Sequence, residues 1–365
     1  MVSAIGRRLR RLLAGAALAV SAGALAPERA LAWTLRDPWP SSAAELAGIA
    51  AQEVSFPSSS PFTPADAGPS AEPTAALGYL YLPRTGRGSG GSAPPRSVPA
   101  VVMLHGAGGV LPAREHLYGR QLAAMGAAAL VVDVFGARRD RAAGFTERLL
   151  EITETMALAD AYAALRFLSQ RPEINPRRVA LVGFSYGAMA STYGVWATAA
   201  ERLAPGGERF AAHAASYGPC IARFEERRTT GAPVLMLYGE EDELIVPERC
   251  AEFAEELRRA GSRTEVISYP GALHQWDGGL PRRTVGRLLG ACRLRVERDG
   301  TVRDERTRLP MSGPILRRVI LAACVEDRPY LIGADEAVRA HSNRDLGRFL
   351  DSVFRGAAAR GGAAR

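Results

Sequence analysis

The chain has 365 residues, of which 47% are hydrophobic and 23% are charged, a balance that is ordinary for a globular protein and excludes a disordered or fibrous one. Its formal net charge is +8, but residues 1–32 contribute five arginines and one glutamate, so the remainder carries +4. The remaining arginines form no stripe with interleaved aromatic residues, and a nucleic-acid partner is therefore not expected.

The N-terminus has the pattern of a bacterial export signal. Four arginines between residues 7 and 11 precede an apolar run of small residues that ends at Ala26, and Ala30-Leu31-Ala32 forms an A-x-A cleavage site before Trp33. The alternative is a permanent membrane anchor, for which this run is short. The pattern predicts cleavage after Ala32 and a periplasmic or secreted protein that is not stably inserted in a membrane.

Four cysteines follow this signal. An exported protein meets an oxidising compartment, so two disulfides are expected, and four cysteines allow three pairings. We favour Cys220 with Cys250 and Cys292 with Cys324, because each pair falls in its own segment of the chain. Metal binding is the weaker interpretation, since no CxxC or HxxxH spacing is present, and no metal or other cofactor is expected.

Residues 33–75 are predicted to be an irregular lead-in. Their prolines and a run of three serines argue against continuous helix, and a first strand is expected around residues 52–56. An alternating pattern at 77–82, followed by a Gly-, Ser- and Pro-rich loop at 85–95, predicts an edge hairpin before the core.

From Val98 onward, apolar strands alternate with helical patterns. Strands are predicted at 101–104, 128–134, 179–182, 211–217, 234–238 and 264–269, and helices at 114–125, 147–171, from 186, at 247–260 and at 335–354. This order predicts an α/β domain over residues 76–356, with a mostly parallel sheet covered on both faces by helices.

Two segments depart from the alternation. Residues 281–332 are strongly charged, and Asp299-Gly300 predicts a hairpin within them. We interpret this segment as an insertion clamped by the second disulfide. Residues 357–365 are predicted to be a flexible tail.

The motif Gly183-Phe184-Ser185-Tyr186-Gly187 ends an apolar strand and begins a helical pattern, as a nucleophile elbow requires. Its turn is so tight that the residues two before and two after the nucleophile need to lack a Cβ atom. A GxSxG sequence also arises by chance in a glycine-rich chain. The strand-to-helix context is what favours a catalytic Ser185 over a serine in an ordinary turn.

A serine nucleophile needs a general base and a carboxylate that orients it. Of the five histidines, His274 lies in a loop just after the last predicted strand and is our candidate base; the alternative is a loop histidine without a catalytic role. Asp242 follows the strand at 234–238 and is the preferred acid, although Glu240, Glu241 and Glu243 compete with it and a solvated acidic loop is the alternative.

Acyl transfer also needs N–H donors where the tetrahedral oxyanion forms. Tyr186, directly after the candidate nucleophile, supplies one backbone donor. The second is expected from the loop after the strand at 101–104, where Ala107 is the first candidate and Gly106 the next. His105 is then expected to fix that loop rather than to act as a base.

Taken together, these residues resemble the dienelactone hydrolase family of α/β-hydrolases. The matching segments are His105-Gly106 with its Gly-rich loop, Val132 to Gly136, Gly183 to Gly187, Tyr217 to Cys220, Gly239 to Asp242, and His274. The resemblance covers roughly residues 77–276 and the closing helix, and it implies the α/β-hydrolase fold with the triad Ser185, Asp242 and His274.

One departure bears on the substrate. The enzymes that give the family its name carry a cysteine at the position of Ser185, so the resemblance implies a general carboxylic-ester hydrolase. Arg138 and Arg139 are candidates for binding a substrate carboxylate.

The sequence therefore predicts an exported serine hydrolase that cleaves a small-molecule carboxylic ester or lactone through an acyl-enzyme. One alternative is a serine peptidase of the prolyl oligopeptidase type, although no repeated strand pattern of a propeller precedes the core. Another is a non-catalytic binding protein on the same fold.

Overall fold

The computed structural model describes residues 33–84, 97–141 and 144–362. The predicted export signal, the loop at 85–95 and the last three residues of the predicted tail lie outside the described residues. The strands are, in chain order, β1 (Gln52–Ser59), β2 (Pro73–Tyr81), β3 (Val98–Leu104), β4 (Ala128–Val132), β5 (Ile174–Phe184), β6 (Ala212–Ser216), β7 (Ala222–Phe224), β8 (Val234–Gly239), β9 (Thr264–Tyr269), β10 (Arg283–Val285), β11 (Leu294–Val296), β12 (Val302–Asp304) and β13 (Tyr330–Ile332). The helices are α1 (Ala43–Leu46), α2 (Leu117–Ala124), α3 (Phe145–Glu151), α4 (Glu154–Ser169), α5 (Tyr186–Tyr193), α6 (Ala197–Leu203), α7 (Pro247–Arg259), α8 (Pro314–Cys324) and α9 (Glu336–Gly362).

Within the described residues, eight strands form one sheet in the order β1-β2-β4-β3-β5-β6-β8-β9. The pairs β1–β2 and β2–β4 are antiparallel, and every other neighbouring pair is parallel. This arrangement confirms the predicted fold class and the hairpin at the edge of the sheet. The carboxyl ends of β3, β5, β6, β8 and β9 consequently lie side by side, where ligands bind in open α/β sheets.

Strand β3 shows why helices cover both faces of the sheet. Successive side chains of a strand point to opposite faces. Val102 and Leu104 pack into one core with residues of α4 and α5, whereas Val101 and Met103 pack into a second core with residues of α2 and α9. Both faces of β3 are buried, which explains why the strand is an uninterrupted run of apolar residues.

The long helix predicted at 147–171 is two helices, α3 and α4. Ile152 is extended, and Thr153 caps α4 by accepting a hydrogen bond from the backbone N–H of Met156 at 3.3 Å. A threonine side chain at this position satisfies a donor that the first turn of a helix leaves free. The apolar period continues across the break, so periodicity alone did not reveal it.

Both termini of the described chain are more regular than predicted. β1 continues past residue 56 through Pro57 to Ser59, which is tolerated because β1 is the edge strand of the sheet. α9 continues past Phe354 to Gly362, so residues 357–362 of the predicted tail are helical. Alanine and arginine, which are frequent there, have high helix propensity. None of the described helices is long and apolar enough to cross a bilayer.

The 281–332 segment contains β10 to β13 and α8. The predicted hairpin is confirmed, because β11 and β12 pair antiparallel with Val296 opposite Val302. β11 also pairs in parallel with β7, and β10 pairs with β13. The short strand β7, which lies between β6 and β8 in the chain, was not predicted from the sequence.

His213 on β6 is a buried histidine that the sheet holds in its neutral form. Its Nδ1 is 2.8 Å from the carbonyl oxygen of Ser191, and its Nε2 has no partner among the described residues. Burial lowers the pKa of His213 from 6.5 to about 4. The folded protein therefore binds a proton at this site less readily than the unfolded chain does.

We expect this histidine to destabilise the fold in acid. Above pH 6.5 it is neutral in both states, and as the pH falls from 6.5 to about 4 only the unfolded chain gains the proton. The free energy of unfolding should lose about 3 kcal/mol from this group over that window. Urea unfolding at pH 7 and pH 4.5 measures the loss, which should largely disappear in His213→Leu and persist in the exposed control His341→Gln. Equal pH dependence in all three proteins would contradict the assignment.

Candidate active site

Ser185 lies in the turn between β5 and α5, and its backbone is strained. Its φ is 51° and its ψ is −110°, in a region that residues other than glycine rarely adopt. A Cβ on Gly183 would lie 2.0 Å from the carbonyl oxygen of Gly187, and a Cβ on Gly187 would lie 2.3 Å from that of Leu104. Both flanking glycines are therefore required by close backbone contact.

Three side chains from separate loops meet at this turn. His274 Nε2 is 2.8 Å from Ser185 Oγ, and His274 Nδ1 is 2.7 Å from Asp242 Oδ2. All three residues are buried. A carboxylate can only accept, so Nδ1 carries the proton and Nε2 is left to accept the hydrogen bond of the serine hydroxyl. The arrangement can remove a proton from Ser185.

The loop after β8 selects Asp242 from four adjacent acidic residues. Its Oδ1 accepts a hydrogen bond from the backbone N–H of Leu244 at 3.0 Å, which turns Oδ2 toward the imidazole. Glu240 bonds to Ser268, Glu243 pairs with Arg328, and both, like Glu241, are exposed. Only Asp242 contacts the histidine.

The loop after β3 lies directly beside Ser185. A Cβ on Gly106 would be 3.4 Å from the Cβ of Ser185. The backbone N–H groups of Ala107 and Tyr186, which the sequence suggested as oxyanion donors, therefore belong to the two segments that flank the serine.

His105 fixes this loop, as expected from the sequence. The Val134 N–H donates to its Nε2 at 3.2 Å, and its Nδ1 donates to the carbonyl oxygen of Gly106 at 2.8 Å. Burial lowers the pKa of His105, which favours the neutral ring that this pattern requires.

A buried polar network behind the histidine was not found by sequence reasoning. The Tyr217 hydroxyl donates to Asp277 Oδ1 at 2.5 Å and accepts from Arg114 at 3.2 Å. Tyr118 donates to the other oxygen of Asp277 at 3.1 Å. The Tyr217 ring packs edge-on against the His274 ring, with the centroids 4.8 Å apart.

The network lies between the loop that carries His274 and the loop after β3. Asp277 is three residues after His274, and a Cβ on Gly106 would meet the guanidinium of Arg114 at 3.4 Å. Burial raises the pKa of Asp277, an effect that Arg114 and the Tyr217 hydroxyl oppose. Only the pair Trp276-Asp277 stands out in the sequence, and it does not identify the partners of the carboxylate.

Neither arginine considered for binding a substrate carboxylate contacts the serine or the histidine. Arg138 is buried and donates to both carboxylate oxygens of Asp160, at 2.6 and 3.0 Å, and to Ser60. The N–H groups of Arg138 are therefore already hydrogen-bonded within the protein, as a buried charge requires, and are not free to bind a substrate carboxylate. Arg139 is exposed.

The four cysteines form the two pairs favoured from the sequence. Cys220 is bonded to Cys250, which joins the segment after β6 to α7, and Cys292 is bonded to Cys324 within the 281–332 segment. That segment also reaches the candidate site, because the chain that leaves it donates a hydrogen bond from the Gly333 N–H to the carbonyl oxygen of His274 at 2.9 Å.

Comparison with known proteins gives one family. A model of the dienelactone hydrolase family matches residues 89–278, more than half of the chain, and ends before the 281–332 segment. No curated protein is similar enough in sequence to match.

Solved structures share parts of the fold. The apo form of esterase 2 from Thermogutta terrifontis is 17% identical, with 63% of this chain and 86% of that chain covered and a TM-score of 0.45. A dienelactone hydrolase-like promiscuous phosphotriesterase from metagenomic libraries is 22% identical, with 62% and 84% covered and a TM-score of 0.41. At these values the likeness assigns no function.

We expect Tyr217→Phe to destabilise the fold more than the loss of an ordinary buried tyrosine hydroxyl. A hydrogen bond to a charged group contributes about 1.5–3 kcal/mol, against about 1 kcal/mol for a neutral one. Tyr162→Phe is the matched control, because its buried hydroxyl donates only to the carbonyl oxygen of Gly194. Urea unfolding of both variants measures the difference, and equal losses would contradict the importance of Asp277 as the acceptor.

Proposed function

The chain belongs to the dienelactone hydrolase family and is a carboxylic-ester hydrolase, and from this premise we propose that it cleaves small-molecule esters or lactones through an acyl-enzyme on Ser185. The observation that carries the proposal is the buried hydrogen-bonded chain from Ser185 through His274 to Asp242. Nucleophile, acid and base follow one another along the chain in the order of the α/β-hydrolases.

In the proposed acylation step, Ser185 Oγ attacks the carbonyl carbon of the ester while His274 Nε2 accepts the hydroxyl proton. The tetrahedral intermediate collapses, the imidazolium gives its proton to the departing alkoxide, and the acyl group stays on Oγ. A water molecule, deprotonated by the same nitrogen, then attacks the acyl carbon; the bond from that carbon to Oγ breaks, the imidazolium returns its proton to Oγ, and the carboxylic acid leaves. Asp242 stays ionised, keeps the ring in the required tautomer and stabilises the imidazolium.

We assign the oxyanion hole to the backbone N–H groups of Tyr186 and Ala107. Tyr186 is the first residue of α5, where unpaired N–H groups create positive potential. Loss of one such donor costs on the order of 3 kcal/mol of transition-state stabilisation. A structure of a phosphonate adduct tests the assignment, because its free oxygen should lie within about 3.1 Å of both nitrogens.

A fluorophosphonate probe should label the wild-type protein at Ser185 and leave Ser185→Ala unlabelled. Hydrolysis of nitrophenyl esters should fall by at least about 10³-fold in the variant, since the nucleophile of a triad is not replaceable. Ser191→Ala is the matched control: its hydroxyl is buried on the same helix and donates only to Leu181.

A correctly folded wild type that resists the probe would refute the proposed nucleophile. Activity against peptide nitroanilides but not against esters would favour the peptidase alternative. Labelling without turnover of any nitrophenyl ester would leave Ser185 a reactive nucleophile and contradict the proposed ester hydrolysis.

We further propose that the protein is exported to the periplasm or beyond, with its signal removed after Ala32. The pattern of residues 1–32 and the two disulfides support this. Trp33 would be the first residue of the mature chain, and it is held in place: its Nε1 donates to Asp351 at 3.0 Å and its ring packs on Phe354.

Mass spectrometry of the protein from the expressing cells should find an N-terminus at Trp33 and no alkylatable thiol before reduction. Retention of residues 1–32, or free thiols in the native protein, would contradict export with cleavage. The disulfide measurement and the N-terminal measurement are independent of each other.

A further inference from the structure

A second concave site lies between α7 and the small sheet that β7, β11 and β12 form. The cavity has a volume of about 660 Å³, and none of Ser185, Asp242 or His274 lines it. Five arginines line it against three glutamates. We call it the arginine groove, and its arginines are Arg223, Arg227, Arg259, Arg295 and Arg298.

The positive charge of the arginine groove is only partly neutralised. Arg223 pairs with Glu252 and Glu256, Arg295 with Glu225 and Glu305, and Arg259 with Glu255. Arg227 and Arg298 are exposed, and their side chains form no ion pair or hydrogen bond with another described residue. Two guanidinium groups therefore remain available to an anion, for which their planar donors suit carboxylate and phosphate oxygens.

Unpaired polar atoms belong to residues that line the same cavity. Trp196 is 1% exposed, and its Nε1 has no hydrogen-bond partner among the described residues. Arg295 Nε and Glu256 Oε2 also have no hydrogen-bond partner among these residues. A buried donor without an acceptor destabilises a protein, so Trp196 Nε1 and Arg295 Nε call for an acceptor that the described residues do not supply. Burial raises the pKa of Glu256, an effect that the charge of Arg223 opposes.

The floor of the cavity is aromatic, and its walls are joined covalently. The Trp196 ring stacks on Phe224 with the centroids 5.0 Å apart. Cys220, two residues before β7, is bonded to Cys250 on α7, so this disulfide joins the two walls. A cavity whose walls are fixed in this way loses little entropy when a ligand binds.

We propose that the arginine groove binds a small organic anion, in which an apolar or aromatic body carries a carboxylate, sulfonate or phosphate group. The body packs on Phe224, and the anionic group is bound by Arg227 and Arg298. This site is separate from the hydrolytic one, and the inference does not depend on the function proposed above.

The test is calorimetric titration of the disulfide-intact protein with 2-naphthalenesulfonate. We expect one site and at least about tenfold weaker binding of the neutral analogue naphthalene-2-sulfonamide. The double variant Arg227→Ala/Arg298→Ala should bind the sulfonate at least about tenfold more weakly.

Two controls place the binding site. Arg139→Ala/Arg318→Ala removes two exposed arginines outside the cavity and should leave the affinity unchanged. Ser185→Ala should also bind normally, and Arg227→Ala/Arg298→Ala should hydrolyse esters at the wild-type rate. The proposal is overturned if the wild type does not bind, if it binds the neutral analogue equally well, if the groove variants keep full affinity, or if Ser185→Ala loses binding.

Discussion

The close approach of the turn after β5 to the end of β3 is the constraint on which the candidate site depends. A Cβ at Gly187 would lie 2.3 Å from the carbonyl oxygen of Leu104 and 2.7 Å from that of His105. Because the backbones touch, Ser185 and the loop that begins at Gly106 have a fixed separation. The parallel pairing of β5 with β6 and of β6 with β8 then sets how far the serine is from the acid loop.

Close backbone packing recurs between the acid and base loops. A Cβ at Gly239 would lie 2.2 Å from the carbonyl oxygen of Ala272, two residues before His274. The imidazole is thus located by the main chain on one side and by the Tyr217 ring on the other. Tyr217 is hydrogen-bonded to Asp277 and to Arg114, and Arg114 lies beside Gly106, so the loops of His274 and Gly106 pack against the same buried network.

Much of this was predictable because it depends on local pattern. The order of strands and helices, the elbow and the positions of the loops that carry His274 and Asp242 follow from periodicity and from glycine spacing. The break before Thr153 was missed because its cap is one side-chain bond inside an unbroken apolar period. The predicted first strand ended too early, at residue 56, because proline is usually excluded from strands. Proline is accepted in an edge strand, but which strand is at the edge is known only from the assembled sheet.

The network of Arg114, Tyr217 and Asp277 was out of reach for a different reason. Its members are 103 and 60 residues apart in sequence, and no local spacing connects them. The choice of Asp242 among four acidic neighbours had a local cause, the Leu244 N–H, but only the backbone of the turn reveals it. Hydrogen bonds between side chains that are distant in sequence depend on the folded structure, and a single sequence therefore does not predict them.

The hydrogen bond from Gly333 to the carbonyl oxygen of His274 has a consequence for how such a protein can diversify. The chain leaves the 281–332 segment through β13, which lies beside the backbone of His274. Substitutions that shift β13 would therefore also shift the imidazole of His274. The hairpin of β11 and β12 instead attaches to β7. The hairpin can therefore vary without displacing the loop that carries His274, whereas β13 must keep its register beside that loop.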